Sequence, residues 1–215
     1  MITLHLPRVE DFPVTGDGSV AVWQSLAWQQ MPHVAGESTY GTRCKICYSE
    51  KGIYFLVDCE DRTLTCTLTE DHVNIFTEDV VEVFLHPSPE MPVYLEYEIS
   101  PLNYELTILV PQHAGKFHGW MPWHYQGERR VRHATHIRGG PKQSGAKVDG
   151  WVCEFFIAFS LMIGLANTPP TRGSSWRANV YRIDYDSGKA AQWAWCPDTG
   201  SRFHDYWDFG TFVFG

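Results

Sequence analysis

The run VYLEYEIS (93–100) sets Glu96 and Glu98 on one side of an extended chain, because successive strand residues point to opposite faces. Residues two apart lie about 7 Å from each other. That spacing could serve acid–base hydrolysis of a glycosidic bond, or equally a strand edge that contacts a ligand. Five histidines, His113, His118, His124, His133 and His136, form a looser group, but none shows H-E-x-x-H or another metal-ligand spacing. Cys44-x-x-Cys47 invites a zinc reading, yet positions three apart on a strand face opposite ways and no second CxxC follows. The six cysteines sit mostly in apolar runs and are expected to be buried free thiols. No G-x-S-x-G, P-loop or G-x-G-x-x-G is present. Catalysis through Glu96 or Glu98 therefore stands only as an alternative.

Binding chemistry is better supplied. A sugar ring offers apolar C–H faces and a belt of hydroxyls, so a site for it combines aromatic walls with a few polar anchors. The stretch QWAWCPDTGSRFHDYWDFG (192–210) carries Trp193, Trp195, Phe203, Tyr206 and Trp207 among Pro, Gly, Asp and Ser. That mixture reads as a loop at the end of the domain, with Trp195 and Trp207 plugging it. WRANVYRID (176–184) adds Asn179 and Arg182. The same rings could instead bind a protein partner, since Trp and Tyr serve both purposes.

With 215 residues, 44% hydrophobic and 20% charged, the chain can bury a core and fits one domain over 1–215. A net charge of -8 argues against non-specific nucleic-acid or anionic-membrane partners. No apolar run is long enough to span a bilayer, and the first residues lack the pattern of a secretory signal. Oligomeric state and compartment are left open.

The elements that must position these residues are short, alternating runs separated by breakers such as HPSPEMP, GGPKQSG and NTPPTRGSS. TRCKICYS (42–49) and GIYFLVDCE (52–60) read as a hairpin with Gly52 supplying the turn. DVVEVFLHP (79–87) puts Val80, Glu82, Phe84 and His86 on one face and Val81, Val83 and Leu85 on the other. Further strands are expected at 92–100, 104–111, 129–137, 149–160, 175–185 and 210–215, with a helical turn at 160–166 capped by Ser160. The fold class is all-β, an antiparallel two-sheet sandwich of immunoglobulin-like or jelly-roll-like kind with one short helix.

In order, YFLVDCED, FTEDVVEVFLHP, VYLEYEISPLN, DGWVCEFFIAFSLMIGL, WRANVYRID and AWCPDTGSRFHDYWDFGTFVF resemble carbohydrate-binding module family 9, from about residue 20 to 215. The resemblance implies a β-sandwich that holds the end of a sugar chain between two aromatic rings, without catalysis, in carbohydrate catabolism or beside a hydrolase. Position by position it implies stacking by Phe76 and Phe203, polar contacts from Glu96, Glu98, Asn179 and Arg182, and support from Trp195. Both ring positions are usually Trp in the family, and the smaller Phe faces lower the affinity expected. The family also implies structural calcium, for which Asp58, Glu60, Asp61 and Asp79 are the nearest candidates. No other cofactor is expected. Related sandwiches hold haem, which would call on Met91 or Met121 with His118 or His124.

Overall fold

The alternating runs become strands, and the computed structural model describes residues 2–113 and 116–215. In chain order they are β1 (Thr3–Leu6), the one-turn helix α1 (Ala21–Gln24), β2 (Gln29–Gln30), β3 (His33–Ala35), β4 (Thr42–Tyr48) and β5 (Gly52–Cys59). Next come β6 (Val80–His86), β7 (Val93–Ile99), β8 (Glu105–His113), β9 (Lys116–Phe117) and β10 (Met121–Pro122). The chain ends with β11 (Arg132–Arg138), β12 (Gly150–Ala158), β13 (Ser175–Asp184), β14 (Ala191–Ala194) and β15 (Gly210–Phe214).

They form two sheets. The smaller runs β11-β12-β5-β4-β2 and the larger β1-β15-β13-β6-β7-β8-β10, with β14 and β3 beside β13 and β9 beside β8. Pairing is antiparallel except where β1 runs parallel to β15. This is the predicted antiparallel sandwich. Its main core lies between the sheets, where Val81, Val83, Leu95 and Tyr97 meet Phe55, Val57, Phe155 and Ile157. Phe155 stacks on Phe55 at 5.1 Å and tilts against Tyr97 at 4.8 Å. All six cysteines are free and buried, as their apolar settings suggested.

Both sheets also bury their outer faces, which is why β6 and β12 have no exposed side. On the smaller sheet, Phe12 and Trp23 pack on Tyr54, Leu56 and Phe156. On the larger, Phe203, Tyr206 and Phe209 cover Val80, Phe84, Tyr94, Ile108 and Tyr181.

Two local expectations change. Gly52 is required by close approach rather than by a turn, since a Cβ there would stand 2.3 Å from the Ile157 carbonyl oxygen. The turn after β12 is a 3-10 turn, Phe159–Met162, with no side-chain cap, and the Ser160 hydroxyl donates to the Glu128 carbonyl instead. Burial of Leu161 and Met162 ends that turn early by drawing the chain into the core.

Candidate functional site

Strand parity decides what the outer face of the larger sheet presents. Glu82 and Phe84 on β6, Tyr94, Glu96 and Glu98 on β7, Ile108 and Gln112 on β8, and Tyr181 and Ile183 on β13 all point outward. The 197–209 segment folds back over one end of this face. Between segment and sheet is a cavity of about 660 Å³ lined by Phe76, Glu82, Glu96, Gln112, Trp120, Phe203 and His204, among others. Phe76 comes from the 3-10 turn Ile75–Thr77 that leads into β6. Phe203 stacks one face on Tyr181 at 3.9 Å, which fixes its orientation at the cavity wall.

Phe76, Glu96 and Phe203 therefore share one cavity. Sequence reasoning missed Glu82, Gln112, Trp120 and His204 as its neighbours. For Glu82 the signal was present in the alternation of β6. For Trp120 and His204 there was none, because irregular chain carries them to the rim.

The acids are the unusual feature. Glu82 and Glu98 sit directly opposite each other in register, and Glu96 follows two residues before Glu98 on the same face. All three are buried. Burial, with the neighbouring Glu96, holds the Glu82 carboxyl well above its ordinary range. Burial also pushes Glu96 up to about 8. Glu98 rises through burial and then through Glu82 and Glu96, and the Phe76 backbone N–H, which favours its charge, does not offset them. Beside them, partial burial lowers the His204 imidazole from its ordinary range, and its Nδ1 meets the Tyr94 hydroxyl at 2.6 Å.

A raised carboxyl binds its proton more tightly folded than unfolded, so stability falls as pH climbs through the folded value. For Glu96 alone, the rise from pH 6 to pH 9 costs about 3 kcal/mol, or about 6–12 °C in melting temperature. Calorimetric melts across that range should show the decline, and Glu96→Gln should make it shallower, the other raised carboxyls keeping their share.

Other predicted residues lie elsewhere. Asn179 and Arg182 are three apart on β13 and so face opposite ways. Asn179 is on the outer side but fully buried, donating to the Cys196 carbonyl and accepting from the Cys196 and Val180 N–H groups, so it is occupied in shaping the chain after β14. Arg182 points between the sheets, fully buried against the Trp193 ring at 4.7 Å. Neither lines the cavity. Trp195 is also core, packed on Phe212 at 5.1 Å, so it closes the sandwich rather than contacting the cavity. Trp207, expected as a second plug, is 57% exposed.

Arg182 has its own partners. Its Nη2 bonds Asp184 at 2.6 Å and Asp61 at 3.2 Å, and one carboxyl oxygen from each of Asp61, Asp79 and Asp184 lies within 4.8 Å of the other two. Among the described residues Asp79 accepts only from the Thr65 and Tyr185 backbone N–H groups. Burial, then Asp61 and Asp184, lift it to about 8. Asp61 is lifted to about 7 by burial against the opposing pull of Arg182. One guanidinium thus faces three buried carboxyls, and an all-oxygen acidic set fits a hard cation such as calcium. The other two candidates stand apart from it. Asp58 bridges Arg43 and Arg138, and Glu60 accepts from the Gly41 N–H.

The haem candidates are committed differently. The Met91 sulfur accepts from the Ala166 N–H, Met121 is exposed on β10, and His124 stacks on His72 at 3.7 Å.

Comparison with known proteins fits this geometry. The fold matches a candidate carbohydrate-binding protein from Bacteroides uniformis over 100% of this chain and 99% of that one, with TM-score 0.79 and 15% identity. It also matches a carbohydrate binding module family 9 of Caldicellulosiruptor kristjanssonii in complex with cellotriose, over 99% and 92% of the two chains, with TM-score 0.69 and 15% identity. The module from that organism in complex with glucose gives 99%, 95%, 0.68 and 17%. No curated protein matches the sequence. The model of the family described as carbohydrate family 9 binding domain-like matches residues 15–214, and the chain belongs to that family.

Proposed function

We propose that the protein binds the end of a saccharide in the cavity over the larger sheet and does not act on it chemically. The observation that carries this is the meeting of two rings, Phe76 and Phe203, with Glu82, Glu96 and Gln112 around one cavity of about 660 Å³. The rings offer faces to the C–H side of a pyranose, and the carboxyl and amide groups offer partners to its hydroxyls. The solved modules with cellotriose and glucose support the same ligand class. Hydrolysis is disfavoured by the acids themselves. Glycosidases set an ionised carboxylate beside a protonated carboxyl at the scissile bond, whereas burial raises Glu82, Glu96 and Glu98 together and Glu98 is not among the residues lining the cavity. In this reading the protein serves carbohydrate catabolism by retaining a glycan end.

Calorimetry against mono- and oligosaccharides tests the reading, with affinities expected between micromolar and millimolar. Phe203→Leu, which keeps most of the apolar volume but loses the ring face, should weaken binding about fivefold to tenfold. Unaltered affinity in that variant, or no heat with any sugar, would remove the proposal.

We further propose calcium as a structural ion at Asp61, Asp79 and Asp184. Bound there, it would supply positive charge to carboxyls that Arg182 only partly compensates. Melting temperature should then rise with calcium and fall with a chelator.

A further inference from the structure

Resting on the saccharide reading above, we propose that the cavity prefers a sugar end bearing a protonated amine, taking an amino sugar ahead of its neutral counterpart. The molecule buries two acidic clusters, and they are built differently. Asp61, Asp79 and Asp184 enclose Arg182. Glu82, Glu96 and Glu98 enclose no cation. Among the described residues no arginine or lysine forms an ion pair with any of them, and the closest basic atom is His204 Nδ1, 3.8 Å from Glu96 Oε2. That imidazole is already engaged by the Tyr94 hydroxyl. Arg202 reaches the rim of the cavity but is paired with Asp205 at 3.2 Å and Asp208 at 3.0 Å.

Glu82 and Glu98 stand directly opposite each other, a placement that would be unfavourable were both charged, and burial keeps them protonated while no cation is present. Oε2 of Glu96 has no hydrogen-bond partner although the residue is only 4% exposed, and Glu96 lines the cavity. A neutral sugar could donate hydroxyls to that oxygen but would bring no charge against the remaining carboxyls. An ammonium group donates three N–H bonds and carries the missing positive charge. The walls suit it as well, since Phe76, Phe203 and Trp120 present rings that attract a cation over their faces. On entry of the ammonium, a carboxyl of the trio ionises and its proton passes to the buffer, which ties binding to proton release.

The test is titration calorimetry at pH 6, where amines are protonated, with D-glucose, D-glucosamine and N-acetyl-D-glucosamine, each in two buffers of different ionisation enthalpy. Glucosamine is expected to bind about tenfold or more tighter than glucose. N-acetylation should abolish that gain because it removes the charge. The glucosamine heat should depend on the buffer, reporting proton release, while the glucose heat should not. Glu96→Gln, with its fold checked by thermal melting, should bring the glucosamine-to-glucose ratio close to one. Glucosamine binding no tighter than glucose would overturn the amine preference, and glucose binding that still depends on Phe203 would leave the saccharide reading standing. A preference that survives Glu96→Gln would trace to the overall negative charge and would also overturn it. No binding of any of the three would sink both readings together.

Discussion

Glu154→Ala is expected to destabilise the protein by about 3–5 kcal/mol, a large share of the roughly 5–15 kcal/mol that holds an ordinary domain folded. Glu154 lies on the outer face of β12, fully buried. Its Oε1 accepts from the Trp23 indole N–H at 2.9 Å. Its Oε2 accepts from the Thr15 N–H at 3.1 Å, the Thr15 hydroxyl at 2.9 Å and the Gly16 N–H at 2.8 Å. One carboxylate thus gathers the donors of the segment that covers the smaller sheet. Gly16 adopts φ +89°, and a Cβ there would stand 2.7 Å from that of Ala134, so the segment has little freedom to find another route. Alanine would strand these donors out of water and release Phe12 and Trp23 from Tyr54 and Phe156, with penalties that compound. Glu154→Gln keeps one carbonyl acceptor but turns an amide N–H₂ toward other donors, so an intermediate loss of about 1–3 kcal/mol is expected. Urea unfolding followed by tryptophan fluorescence measures both. An unchanged midpoint for the alanine variant would mean that this covering segment is not part of the cooperative fold.

Glu154 also illustrates how far the sequence could be read. The strands were legible because alternation at period two is imposed by burial: β4 to β7, β12, β13 and β15 fall within the runs that show it, and β8 overruns its run by two residues. The pairing of Phe76 and Phe203 around one cavity was visible only through the order of motifs, since nothing local links residues so distant in the chain. The anchoring role of Glu154 left no trace, because three of its partners are main-chain amides more than 130 residues away, and any residue but proline supplies an amide. Asn179 and Arg182 went astray for a different reason. Treating them as one polar surface ignored the parity that correctly disposed of Cys44 and Cys47, and an odd separation sends one of any such pair into the core. The acidic cluster was half legible. Asp61 and Asp79 stand at the ends of predicted strands, but Asp184 joins them only because β13 runs antiparallel to β6.

That cluster yields the second large effect. Arg182→Met keeps an unbranched stem beside the Trp193 ring but removes the one guanidinium paired with Asp61 and Asp184 and the bond to the Thr42 hydroxyl at 3.0 Å. Breaking a buried ion pair from one side costs about 3–5 kcal/mol, since the remaining charge keeps its desolvation penalty. The loss should depend on pH. Without the cation, the folded carboxyls bind protons more tightly still, while their unfolded values stay near 4. Stability that survives at low pH is then lost as pH rises through those folded values, so the deficit relative to the parent should be small at pH 5 and largest at pH 8. Calcium should act most strongly where the deficit is greatest, because the hard oxygen donors remain and their internal counter-charge is gone. Calorimetric melts at pH 8, with millimolar calcium and with chelator, are expected to show a larger calcium-dependent rise for Arg182→Met than for the parent. If calcium moves neither protein, the cluster is closed to outside cations, and Arg182 itself is the counter-ion around which Asp61, Asp79 and Asp184 are folded.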